Sequence, residues 1–210
     1  MKGIKKIKKE VAYEFHKWRE QLIVADKAIY IIVVILLGVF RPDFLMIAVY
    51  FMLYPYFFLT QRKLAFKHLF VASAVAIIWM LIANNQYGYN IKMVSLLGIH
   101  LFPLFAWAIG LFGGYIMYSH WEHVLKDQSR LKKMLLFLAF YWPILIVVET
   151  LAYHVFIIRN IAASAYVGLP LCDCIHAPRW MQFSYLALGP IYFGICEFIG
   201  LENPHYIKKK

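Results

Sequence analysis

Residues 134–158 read MLLFLAFYWPILIVVETLAYHVFII. No Lys, Arg or Asp interrupts this run, and it exceeds the roughly 20 apolar residues that a helix needs to cross a hydrocarbon core of ~30 Å. One carboxyl group, Glu149, stands inside it. Such a segment reads as a transmembrane helix. Working outward, further apolar runs occupy Ala28–Phe40, Phe44–Thr60, Leu69–Ala83, Val94–Tyr118 and Met181–Leu201. The expected fold is therefore all-α, a polytopic membrane helix bundle of about six transmembrane helices. Composition agrees, with 63% hydrophobic and 16% charged residues, too few charges to cover a soluble domain.

The first two runs are joined by Arg41-Pro42-Asp43, where proline forbids a continuous helix and the charges favour water. The first run reaches only ~20 Å as a helix. A re-entrant hairpin over 28–60 is thus the alternative to two spans.

The net charge of +11 is distributed unevenly. Eighteen of the 22 Lys and Arg lie in the first 27 residues, the 61–68 and 119–133 loops and the tail; the intervening loops hold only Arg41, Lys92, Arg159 and Arg179. Positive residues mark the cytoplasmic side, which predicts both termini in the cytoplasm. No soluble module remains to carry nucleic-acid binding. Three regions follow: a basic segment 1–27, a membrane domain 28–201 and a basic tail 202–210. In the first, Val11, Phe15, Trp18, Leu22 and Ala25 fall at helical spacing, as expected of an amphipathic helix on the membrane face. Glu10, Glu14, Glu20 and Asp26 argue against a cleavable signal there. Three cysteines imply no disulfide framework.

Two stretches share an order of features. A basic start at Arg62-Lys63 leads outward to Asn84–Asn90, then Gly98, Pro103, Trp107 and a return. Arg130, Lys132 and Lys133 lead to Arg159-Asn160, then Gly168, Pro170, Pro178, Trp180 and a second return. This pattern predicts a parallel repeat of helical hairpins, with a site between the copies.

Glu149 is the residue most suited to chemistry. Nine residues from the outer end of its run, it lies ~14 Å deep, where an ionised carboxylate is costly. It should be neutral, paired or facing a polar cavity, and a neutral carboxylic acid is a proton donor. Tyr153 shares its face, and Trp142 and Pro143 lie two turns earlier. His100 and His154 sit near the outer ends of their runs and suit proton relay, metal ligation or a bond to a backbone carbonyl. Cys172, Cys174 and His176 place three metal-capable groups together, without a standard zinc spacing. The alternatives for this loop are thiol chemistry, including a Cys-x-Cys bridge, or a packed cap in which Asp173 pairs with Arg179. His120, Glu122 and His123 read as interface residues, as does Glu197.

The order Tyr87-Gly88-Tyr89, Gly98-Ile99, Pro103 and Trp107 resembles the membrane-embedded carotenoid cyclase and hydratase group, which includes the small transmembrane lycopene cyclases and the bacterioruberin-pathway hydratases. The likeness covers about Arg62 to Gly194. It implies a small all-helical enzyme, built from repeats, acting on polyene lipids. The cyclases follow the proline with paired carboxylates; here Leu104-Phe105-Ala106 follows Pro103, and Cys172-Asp173-Cys174 stands in the second copy.

The expected function is an integral membrane enzyme acting on an isoprenoid or other long apolar lipid. Glu149 is its general acid, and His100, His154 and Asp173 are relay or positioning groups. Trp142 and Tyr153 would stabilise a carbocation. No cofactor is required; the partners are membrane lipid and a second copy of the chain. The rival readings are a small transporter, supported if helices break at Pro103 and Pro143, and a non-catalytic membrane subunit.

Overall fold

The computed structural model describes residues 41–122, 128–170 and 172–205, with 13, 25–29, 31 and 32. The amphipathic segment Val11–Lys27 and the run Ala28–Phe40 lie largely outside the described residues. Five long helices occupy the rest: α1 (Pro42–Leu59), α2 (Lys63–Ala83), α3 (Leu101–Ser119), α4 (Arg130–Thr150) and α5 (Arg179–Phe198). Among the described residues, four segments are long and apolar enough to cross a membrane: Pro42–Leu59, Lys63–Gln86, Leu101–Ser119 and Arg130–Val155. Their outward faces carry exposed Phe51, Phe58, Phe70, Ile78, Leu81 and Val147, as lipid contact requires.

α2 and α3 form the most intimate pair. Ala65, Leu69, Ala72, Ala76, Met80 and Ala83 of α2 are fully buried and recur every three or four residues on one face. Small side chains on that face let the helix backbones approach, the main source of helix association where lipid removes the hydrophobic drive. α1 and α4 each pack on α3, while α5 closes the bundle against α2 and α4.

α1 begins where the proline at its first position needs no hydrogen-bond partner. Asp43, expected at water, is instead fully buried. Arg41 donates to both its oxygens, at 3.0 Å and 2.7 Å, and the Val94 N–H donates at 3.1 Å. Those three donors satisfy a carboxylate that would otherwise be solvated.

The run expected to start a span at Val94 is not helical before Leu101. Ser95 pairs with His100 and Leu96 with Ile99 in a two-stranded hairpin. Its turn residues Leu97 and Gly98 have φ of +51° and +79°. Asn84 fixes this turn, donating to Gly98 O at 2.7 Å and accepting from His100 N–H at 3.1 Å. Polar capture of the backbone overrides the apolar composition here. Pro103 accordingly sits in the first turn of α3, and α4 runs through Pro143, so neither proline breaks its helix. α4 continues into a π-helical turn, Leu151–Val155.

At the end carrying Arg62, Arg130 and Lys132, the C-terminal segment is fastened to the bundle: His68 reaches Glu202 O, and Asn203 donates to Ser119 O and Glu122. At the opposite end the loops after α2 and α4 are joined. Asn160 donates to Gln86 O and accepts from Gly88 N–H, while Asn90 bonds Ile157 O and Arg159 N–H.

Candidate functional site

Because α1 and α4 both lean on α3, an elongated cavity opens between them, with a volume of about 760 Å³. That is ample for a drug-sized or larger lipid-like molecule. Met46, Leu53, Phe102, Phe112, Leu145 and Phe156 are among its many apolar lining residues. Gly110 of α3 faces into it, and no atom lies within 4 Å of where its Cβ would stand.

The two ends are polar. At the basic end, Asp26 pairs with Arg62 at 2.9 Å and accepts from the Tyr56 hydroxyl at 2.9 Å. His120 lines the cavity there; burial, then the charges of Lys27 and Arg62, push its pKa below the ordinary imidazole value. At the other end stand Tyr89, Asn160, Tyr153 and His176. Burial pushes Tyr89 well above the ordinary phenol range, reinforced by the neighbouring Tyr87 and Glu149.

Glu149 lines the cavity between these ends. It is the penultimate residue of α4, immediately before the π-helical turn, a local geometry frequent at functional sites. Among the described residues, none hydrogen-bonds or ion-pairs with its carboxyl group. Tyr87, Tyr89, Tyr141 and Tyr185 are close enough to interact with it electrostatically.

In the wall of the cavity lies a buried aromatic cluster centred on Tyr87. The indole N–H groups of Trp79 and Trp107 both donate to the Tyr87 oxygen at 2.9 Å, and that oxygen lies 2.9 Å from the Tyr185 hydroxyl. Burial raises Tyr87 above the ordinary phenol value, keeping it protonated. Tyr141 donates to the backbone oxygen of Tyr185 at 2.6 Å, and its ring occupies the space where a side chain at Gly189 would stand.

The residues singled out by sequence do not converge. Glu149 and Tyr153 share the cavity as their spacing predicts, whereas His100, His154 and Asp173 are not among its lining residues. His154 Nε2 instead reaches Cys172 O at 3.0 Å and Asp173 O at 3.1 Å, holding the loop backbone. The Asp173 side chain is 73% exposed and lies 3.4 Å from His176 rather than against Arg179. Trp142 is also outside the cavity, its indole N–H bound to Leu186 O at 3.0 Å.

Cys172 and Cys174 are joined as a disulfide, so neither is available as a thiolate ligand, and the metal site expected of them with His176 is not formed. Among the described residues no group of three His, Cys, Asp or Glu side chains is placed to hold a metal ion. His176 stacks on Tyr153 with ring centroids 4.5 Å apart.

Tyr185 and Tyr141 carried no sequence signal beyond being tyrosines inside apolar helices. That signal was usable, since a buried tyrosine hydroxyl needs a partner. The central role of Tyr87 depends on three helices and a loop, and spacing alone could not find it.

No protein-family model matches this chain, nor does any curated protein or solved structure.

Proposed function

We propose that the chain is an integral membrane enzyme working by acid–base chemistry on an isoprenoid or other long apolar lipid held in the cavity, with Glu149 as general acid. The observation that carries this reading is an elongated apolar cavity containing one carboxyl group with no described partner. A buried carboxyl group usually has its hydrogen bonds satisfied, and one left open to a cavity is suited to giving a proton to an occupant. Tyr153 and Trp107 line the same space and present aromatic faces to a developing cation, the task first assigned to Trp142 and Tyr153. The Tyr87–Trp107 resemblance to carotenoid cyclases and hydratases supports a polyene substrate. His154 and Asp173 serve by shaping the loop near the cavity mouth.

In this reading α5 and the apolar run Ala28–Phe40 complete six spans, with both termini cytoplasmic. The clustering of Lys and Arg at one end supports that orientation. So does the Cys172–Cys174 disulfide at the other end, which suits an oxidising compartment. Asn84 and Asn160 each leave an outward helix and bind loop backbone, in support of a repeated hairpin. A membrane-impermeant maleimide should label Cys172 and Cys174 from outside only after reduction; labelling from the cytoplasmic side would invert the topology.

Mass spectrometry of the lipid copurifying in mild detergent tests the substrate class, and Glu149→Gln tests the chemistry. An isoprenoid occupant, converted by the native protein and left unconverted by the variant, is expected. Phospholipid alone, or full conversion by the variant, rejects the reading. The unbroken α3 and α4 remove the support that a transporter would have drawn from Pro103 and Pro143.

A further inference from the structure

The hydrogen bonds around Tyr87 have only one consistent direction. Its oxygen accepts from Trp79 and from Trp107, and an indole nitrogen can only donate. Those two bonds use both acceptor sites of the phenol oxygen. The contact with Tyr185 must therefore run outward, the Tyr87 O–H donating to the Tyr185 oxygen at 2.9 Å. Tyr185 is then an acceptor on that side, and its own hydrogen must point elsewhere.

No described group takes that hydrogen. The contact with Tyr87 is the only hydrogen bond of the Tyr185 hydroxyl among the described residues. The side chain is only 6% exposed, yet it lines the cavity. A buried donor without an acceptor is destabilising, and an occupant of the cavity can supply what is missing. Glu149 lines the same space and is likewise without a described partner.

We infer that the cavity is built for an apolar molecule bearing a hydrogen-bond-accepting oxygen, which takes the Tyr185 O–H and lies within reach of Glu149. This rests on the lipid-site reading above and narrows it from any long apolar lipid to an oxygenated one. The two indoles and Tyr87 act as a relay of fixed polarity, committing Tyr185 to donate before the ligand arrives.

The test uses the full-length protein in mild detergent with two probes: the isoprenoid ketone geranylgeranylacetone and the matching hydrocarbon lacking the oxygen. Retention of each is measured after gel filtration, and infrared difference spectra record the ketone C=O stretch. The native protein should retain the ketone roughly three- to tenfold better than the hydrocarbon, the worth of one hydrogen bond. The bound C=O stretch should lie lower than in micelles. Tyr185→Phe should erase the preference and raise the stretch while still retaining the hydrocarbon. Equal retention of both probes by the native protein overturns this inference and leaves the lipid site standing, as does an unchanged preference and stretch in Tyr185→Phe. Retention of neither probe overturns the lipid site itself.

Discussion

α2 and α4 are both 21-residue helices, and both belong to segments apolar enough to cross a membrane. Half of the apolar window of α2 is buried within the bundle, against 17% for α4. Hydrophobicity does not account for that difference. The alanines of α2 do, because they let α3 approach closely along the whole face. α4 presents bulkier residues, with lipid on one side and the cavity on another. The polar groups follow the same division. On α2, Ser73 bonds Leu69 O and Tyr50, and His68 reaches Glu202 O. On α4, Thr150 bonds its own helix and Tyr141 bonds Tyr185 O, but Glu149 has no described partner. The closely packed helix holds the bundle together; the loosely packed one supplies the open site.

The largest effect that can test this contrast is chemical. Glu149→Gln removes the proton and nearly nothing else, so conversion should fall roughly 10²–10⁴-fold, the usual worth of a general acid. Thermal stability should be unchanged, since no described group bonds the carboxyl. A variant that melts much earlier would show Glu149 to be structural and cancel the distinction between the helices. On α2 the expected loss is in folding. Ala76→Leu forces a large side chain into the fully buried face of α2 and should cost about 1–3 kcal/mol, read from the thermal midpoint in detergent. Smaller still in stability is Gly110→Leu, whose side chain enters open cavity. It should displace the copurifying lipid several-fold while leaving the midpoint close to native. Undiminished lipid would place the occupant elsewhere.

These contrasts mark what the sequence could disclose. The apolar runs located α1, α2, α4 and α5 to within a few residues, except that α2 and α4 begin earlier, because Lys63 and Arg130 continue a helix as readily as leucine, and that α4 gives way at Leu151 to a π-helical turn ending at Val155. The run from Val94 misled because its side chains are apolar while its backbone is held by Asn84, sixteen residues away from His100. Asp43 looked solvated because the Val94 N–H that helps to bury it is 51 residues distant. Glu149 was legible from the cost of an isolated carboxyl group in lipid, a property of one position. His100 and His154 were grouped with it by depth alone, and depth leaves the angle around each helix unspecified. The chain Trp79, Trp107, Tyr87 and Tyr185 is a relation among four segments, and no local pattern encodes it.

The smallest predicted effect is the sharpest probe of the comparison, because it makes one chemical change on both helices. Val75 of α2 is 6% exposed and Val147 of α4 is 55% exposed. In water, truncating either to alanine would alter hydrophobic burial, but in a bilayer the outward face meets acyl chains as apolar as valine itself. Val147→Ala therefore exchanges contact with the side chain for contact with lipid, and its midpoint should shift by less than about 0.5 kcal/mol equivalent. Val75→Ala leaves a void that neither lipid nor water can fill. It loses dispersion contacts outright, at a cost of about 1 kcal/mol or somewhat more. Measured in the same detergent, the two variants differ only in what lies beyond the missing methyl groups. Equal destabilisation would mean that α4 is covered by protein along Val147, as in a dimer packed through that face. A clear cost at Val75 alone would establish that α2 is the packed helix and α4 the one left facing lipid and ligand.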